Sequence, residues 1–247
     1  MTQASVGFHC PECLKRQGQR VVTAQSLRPL GRPPVTIALI GISVVVFIIQ
    51  MVTGSGNVDD SEFTYDYLLY GPWVESGDVW LIVTSAFLHG DPIHLGFNMF
   101  LLWIIGKGSE HQIGRVQFIL IYFSAMFAAA AFVLAFNYLT PTLGASGAVL
   151  GMFGGVAGLM VMRGRRIQEI PGFQLIVLNL FLPLVIPGIS FWGHLGGVVG
   201  GFVAGVMIAS LSDKARMPAP VTYLAVSAVV VVWFGVAVYV GSVGGLR

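Results

Sequence analysis

The chain has 247 residues, of which 55% are hydrophobic and 10% charged, and a formal net charge of +2. An ordinary soluble domain is about 25% charged, so so much apolar surface requires a solvent that is partly lipid. The small net charge gives no reason to expect a nucleic-acid partner, since topology accounts for the basic residues.

Residues 1–33 are polar and end in Arg32-Pro33-Pro34, a linker composition. They hold no apolar core of signal-peptide type, so the first span is expected to remain in the mature protein. His9, Cys10 and Cys13 look like part of a zinc site, but three ligands fall short of the usual four, and no metal or other cofactor is expected. A crossing helix needs roughly 20 apolar residues. Seven runs approach that length, at about 34–54, 92–109, 115–137, 146–163, 172–189, 190–211 and 220–241. The expected fold is therefore all-α, a polytopic transmembrane helical bundle of seven spans. With the N-terminus in the cytoplasm, twelve of the thirteen basic residues fall inside and Arg247 outside, as the positive-inside rule asks. The C-terminus then lies outside. Cys10 and Cys13 fall on the reducing side, where a structural disulfide is not expected.

The first outer loop, about 55–91, is the longest connection. Its length and its aromatic residues suggest structure of its own at the membrane interface.

Glycine recurs every four residues at Gly193, Gly197, Gly201 and Gly205 in the sixth span, and at Gly147, Gly151 and Gly155 in the fourth. Such a stripe lies near one helix face and lets two backbones approach closely. Spans two, four and six run in the same direction, and each carries its chemistry in its first two turns: His94 and Asn98, Ser146, and His194. Contact between the two glycine stripes would bring Ser146 next to His194. A serine hydroxyl beside a neutral imidazole is the minimum apparatus for nucleophilic acyl transfer. The Ser146 N–H at a helix start, the Asn98 amide and the His94 ring N–H are candidate oxyanion donors. Glu110, Glu169 and Asp213 lie at the far membrane face and Asp91 lies near His94, so a Ser-His dyad is expected rather than a triad. The bland alternatives are a helix-packing serine and an interhelical polar clamp from His94 and Asn98.

At these residues the sequence resembles the rhomboid family of intramembrane serine proteases. The matching pieces are His94-x-x-x-Asn98, Gly144-x-Ser146-Gly147 and His194-x-x-Gly197-x-x-x-Gly201, with His89 and the stretch Glu110 to Gly114 also family-like. The resemblance covers about 34–212. It implies a six-helix catalytic core there, with a seventh helix added in 213–247, in the cell membrane. It also implies cleavage of single-span membrane proteins without a cofactor. Ser146 would be nucleophile, His194 base, and His94, Asn98 and the Ser146 N–H the oxyanion donors, with Gly144, Gly147, Gly197 and Gly201 supporting the packing. The fifth span, with Pro183 and Pro187, looks like the family's gate region. Two positions depart from the pattern. Leu81 follows Trp80 where an arginine is common. Leu150 stands where an aromatic residue often packs on the catalytic histidine. A non-catalytic rhomboid-like protein that binds or quality-controls membrane proteins is the alternative. A transporter has little support, because no inverted pair of broken helices is apparent.

Overall fold

The computed structural model describes residues 2–3, 8–9, 31–170 and 172–246. The side chains of His9, Cys10 and Cys13 lie outside the described residues. Residues 1–31 form one unit, in which Thr2 pairs with His9 and Gln3 with Phe8 as a short antiparallel ladder. Residues 32–247 form the second unit, a bundle of seven principal helices.

These helices are α1 (Pro34–Thr53), α2 (Pro92–Ile113), α3 (Arg115–Phe136), α4 (Ser146–Met162), α5 (Phe173–Phe181), α6 (Phe191–Ala209) and α7 (Ala219–Ser242). They fall on the seven apolar runs. Pro34–Thr53, Arg115–Phe136, Phe191–Lys214 and Ala219–Ser242 are long and apolar enough to cross a membrane. Helix α4 is shorter, with 17 residues, or about 25 Å. Helix α2 has the length but carries Lys107 and Glu110 near its end.

The fifth element departs from its apolar run of about 172–189. Regular helix stops at Phe181, a 3-10 turn covers Leu182–Leu184, and the chain then bends through Pro187 and Gly188. Pro183 removes an amide and its ring crowds the preceding turn, so an apolar sequence does not continue as helix there.

Helix α1 starts without a cap of its own. The buried Glu110 carboxylate of α2 takes that part. It accepts the Val35 N–H at 3.0 Å, the Thr36 N–H at 2.9 Å and the Thr36 hydroxyl at 2.7 Å. Unpaired amides at a helix start would be costly at membrane depth, and a carboxylate also suits the positive end of the helix dipole. Helix α2 is capped by Asp91, whose Oδ1 accepts from the N–H groups of Ile93 and His94. One glycine, Gly114, with φ of 90°, turns α2 into α3.

The connection between α1 and α2 holds short helices at Glu62–Tyr67, Gly71–Glu75 and Leu81–Thr84. It is laced to the segment that precedes α4. Leu69 and Thr142 exchange two backbone hydrogen bonds of 2.9 Å, Gly71 N–H donates to Tyr138 O, and the Tyr138 hydroxyl bonds Glu75. Gln50 of α1 grips the backbone of His89, donating to its carbonyl and accepting from its N–H. Leu81 is buried among Val74, Ile82 and Leu134, so the position after Trp80 is apolar core in this chain.

Helix α6 lies against both α3 and α4 and carries glycine on both faces. A methyl group at Gly196 or Gly200 would strike the backbone of α3, where the Ser124 hydroxyl also donates to Gly200 O at 2.8 Å. Helix α7 packs on α3 through Phe234 against Phe127 and Trp233 against Phe132. Its Gly241 lies against Val74 of the α1–α2 connection.

Candidate active site

The first turns of α2, α4 and α6 converge, and glycine is the reason α4 and α6 come so close. A Cβ placed on Gly197 would stand 2.0 Å from Gly147 O; on Gly201, 1.9 Å from Gly151 O; on Gly205, 2.0 Å from Gly155 O. In the other direction a Cβ on Gly147 would stand 2.8 Å from Gly193 O. The two helices therefore touch backbone to backbone along their length, as the glycine stripes predict. Ser146 and His194 each follow or precede a residue of the first contact, Gly147 with Gly193. The hydroxyl of Ser146 makes no hydrogen bond among the described residues.

His194 is buried, and its Nδ1 lies 2.9 Å from the Asn179 carbonyl of α5. A carbonyl can only accept, so Nδ1 carries the proton and Nε2 of the neutral ring is a free acceptor. Among the described residues no carboxylate pairs with His194; a main-chain oxygen holds the ring instead. Leu150 lies in the apolar core, and the carbonyl fixes the imidazole without an aromatic partner at that position.

His94 has the opposite tautomer. Its Nδ1 accepts the Gly90 N–H at 3.4 Å, which leaves the proton on Nε2. That nitrogen faces Gly144, where a Cβ would stand 3.0 Å from it, 2.8 Å from Cε1 and 3.9 Å from Ser146 Oγ. The His94 N–H and the Ser146 hydroxyl thus border the same small space, which exists because residue 144 has no side chain. Gly144 also has φ of 123°, a conformation that L side chains rarely adopt, and its N–H is tied to Ser85 O at 2.9 Å. Asn98 is buried one turn below His94. One amide hydrogen goes to His94 O at 3.0 Å, leaving the second available. Helix α4 starts at Ser146 after Ala145, without a side-chain cap, so its first N–H groups are open donors.

His89 stands behind His94, with ring centroids 5.2 Å apart in an edge contact. It is fully buried, with Nδ1 against Phe87 O and Nε2 unpartnered. Burial, then the nearby His94, holds its pKa down at about 4, so it is neutral at ordinary pH. Among the described residues no group of three or more His, Cys, Asp or Glu side chains could hold a metal ion.

The structure puts Gly144 against His94 and Ser146 Oγ, Asn98 against His94 O, Gly147 against Gly193 and Gly197, and Gly201 against Gly151. Sequence reasoning missed the Asn179 carbonyl and the Gln50 clasp on His89. The available signal for the first was a proline four residues after Asn179. The second, 39 residues apart, left none.

A family model described as a rhomboid domain matches residues 76–211. Rhomboid protease GluP of Bacillus subtilis (strain 168) is 28% identical over 194 residues, covering 77% of this chain and 38% of that protein. Rhomboid-like protease 1 of Toxoplasma gondii is 30% identical over 154 residues, covering 59% and 53%. Putative rhomboid protease YdcA of Bacillus subtilis (strain 168) is 26% identical over 153 residues, covering 59% and 75%. The chain thus spans less than half of the first relative and about half of the second.

Proposed function

The chain belongs to the rhomboid family, and from that premise we propose that it is an intramembrane serine endopeptidase working through a Ser146–His194 dyad. As a rhomboid it is a multi-pass membrane protein. The observation that carries the proposal is the backbone contact of α4 with α6, where Gly147 and Gly193, the chain neighbours of Ser146 and His194, meet. The tautomer of His194 supports it further, because a bare Nε2 is what a general base needs.

Ser146 Oγ attacks the carbonyl carbon of the scissile bond while His194 Nε2 takes the hydroxyl proton. The negative oxygen of the tetrahedral intermediate accepts from the Ser146 N–H, the His94 Nε2–H and the second Asn98 amide hydrogen. Loss of one such donor typically slows an acyl transfer about 10²–10³-fold. His194 returns the proton to the leaving amine as the C–N bond breaks. Water, deprotonated by His194, then hydrolyses the ester on Ser146 and regenerates the hydroxyl. Substrates are membrane proteins cut in or near a transmembrane segment, and the reaction needs no cofactor. Residues 34–212 are the catalytic core and 213–247 the added helix. The N-terminus faces the cytoplasm of a cell membrane and the C-terminus the outside, on the distribution of basic residues.

A non-catalytic role in binding membrane proteins draws on one observation, the absence of a hydrogen bond from the Ser146 hydroxyl among the described residues. Catalytic hydrogen bonds often tighten only when substrate is bound, so that absence carries less weight than the seam. Reconstitution in liposomes with a single-span substrate separates the readings. Cleavage is expected from the parent and not from Ser146→Ala or His194→Ala; cleavage that persists in Ser146→Ala rules out the dyad.

A further inference from the structure

In a continuous α-helix the Asn179 carbonyl would accept the amide of residue 183. Residue 183 is proline and has no N–H. Regular helix gives way to a 3-10 turn at Leu182–Leu184, and the last cap amide of α5 goes to Leu178 O, not to Asn179 O. Asn179 is buried. Its own side chain turns back to Leu175 O at 2.8 Å and leaves the carbonyl clear. What meets the carbonyl is the ring of His194, from another helix.

We infer that Pro183 is a positioning residue: by deleting the amide that would occupy the Asn179 carbonyl, it reserves that oxygen for His194 Nδ1–H and so fixes the tautomer with a bare Nε2. The catalytic meaning of this rests on the proposed role of His194 as base. The device supplies from a main-chain oxygen what an acid supplies in a Ser-His-Asp triad, the holding of one tautomer. It also ties the base to α5. Only Ile176 and Asn179 of α5 are buried, while Leu178 and Phe181 are exposed. The imidazole is therefore oriented only while a lightly held helix sits in place.

Pro183→Ala puts the amide back. A carbonyl oxygen has two lone pairs, so His194 is weakened rather than evicted. One neutral hydrogen bond corresponds to about a fivefold change in rate. The test combines two readouts on the full detergent-solubilised chain. Nitrogen spectra of ¹⁵N-histidine protein, with His194 assigned by a His194→Gln sample, report the tautomer. The rate at which a small fluorophosphonate labels Ser146 reports the base, and such a probe needs no lateral entry past α5. The expected results are a single Nδ1–H tautomer in the parent and a mixture in Pro183→Ala, with labelling about fivefold slower and thermal stability not lowered. Structural damage would lower both rate and stability. Pro183→Gly restores the same amide without favouring helix; it is expected to act in the same direction and replaces the alanine variant should that fail to fold. Parent tautomer and parent labelling in these variants would overturn the inference. The spectrum needs no activity, so an unlabelled parent would refute the dyad while the tautomer still decided the role of Pro183.

Discussion

Gly197→Ala and Gly205→Ala make a matched pair. Each added methyl would stand 2.0 Å from a carbonyl oxygen of α4, Gly147 O for the first and Gly155 O for the second. Ordinary contact begins near 3.4 Å, so α4 and α6 must part locally by about 1.4 Å in both cases. Overpacking of that kind typically costs about 1–3 kcal/mol, and the two variants should lose similar stability. Their effect on chemistry differs, because the sites lie eight residues, or about 12 Å, apart along α6. Gly197 faces the residue after Ser146, and a misplacement near 1 Å at a reacting pair can slow the reaction about 10²-fold. The expected outcome is a fluorophosphonate labelling rate about a hundredfold lower in Gly197→Ala and within about tenfold of the parent in Gly205→Ala. Thermal unfolding in the same detergent supplies the stability comparison. Gly41→Ala in α1, where a methyl meets nothing within 4 Å, is the control and should match the parent in both assays. A folded Gly197→Ala protein that labels at the parent rate would refute the seam as the source of the site's geometry, and so would equal losses in the matched pair.

Glu110, Gly144 and His89 supply three further outcomes. Glu110→Ala strips the first turn of α1 of three hydrogen bonds to a carboxylate and should lower stability by about 3 kcal/mol, read by thermal melting. Labelling of the folded fraction should survive, since Glu110 lies at the far end of α2 from His94. Gly144→Ala forces a side chain into a strained backbone and against His94 Cε1, so labelling should fall at least tenfold with a stability loss of about 1–3 kcal/mol. His89 gives a pH dependence. Its folded pKa of about 4 lies below the ordinary 6.5, so an unfolded chain takes up a proton that the folded chain refuses. Its contribution is full above about pH 6.5 and drains away as pH falls toward 4, by roughly 3 kcal/mol at most. Melting curves across that range should steepen for the parent and flatten for His89→Gln; identical pH slopes would contradict this.

The spans were legible because each is a long apolar run, and the meeting of α4 with α6 because four-residue glycine spacing has one physical use in a membrane. The fifth run, about 172–189, is apolar throughout, whereas regular helix ends at Phe181; the sequence's sign of that loosening is Pro183 and Pro187, where the hydrogen-bond ladder breaks. The hold on His194 was not legible as a residue type, because a main-chain carbonyl has no side-chain signature; the missing amide at Pro183 was its trace. The Leu69–Thr142 bridge and the Tyr138–Glu75 bond join segments more than sixty residues apart, and local sequence carries no mark of such pairing. The packing of α7 on α3 was equally unreadable, since an apolar helix looks alike whether protein or lipid covers it.

The claim on which the rest depends is that Ser146 Oγ and His194 Nε2 can reach one reacting group together. A peptide chloromethyl ketone tests this directly, because its carbonyl takes the serine oxygen while its methylene alkylates the histidine. After reaction and digestion, mass spectrometry should find alkylation on His194, and it should vanish in Ser146→Ala, where the ketone is no longer held. Alkylation elsewhere, or on His194 with equal yield in the Ser146→Ala chain, would contradict a working pair.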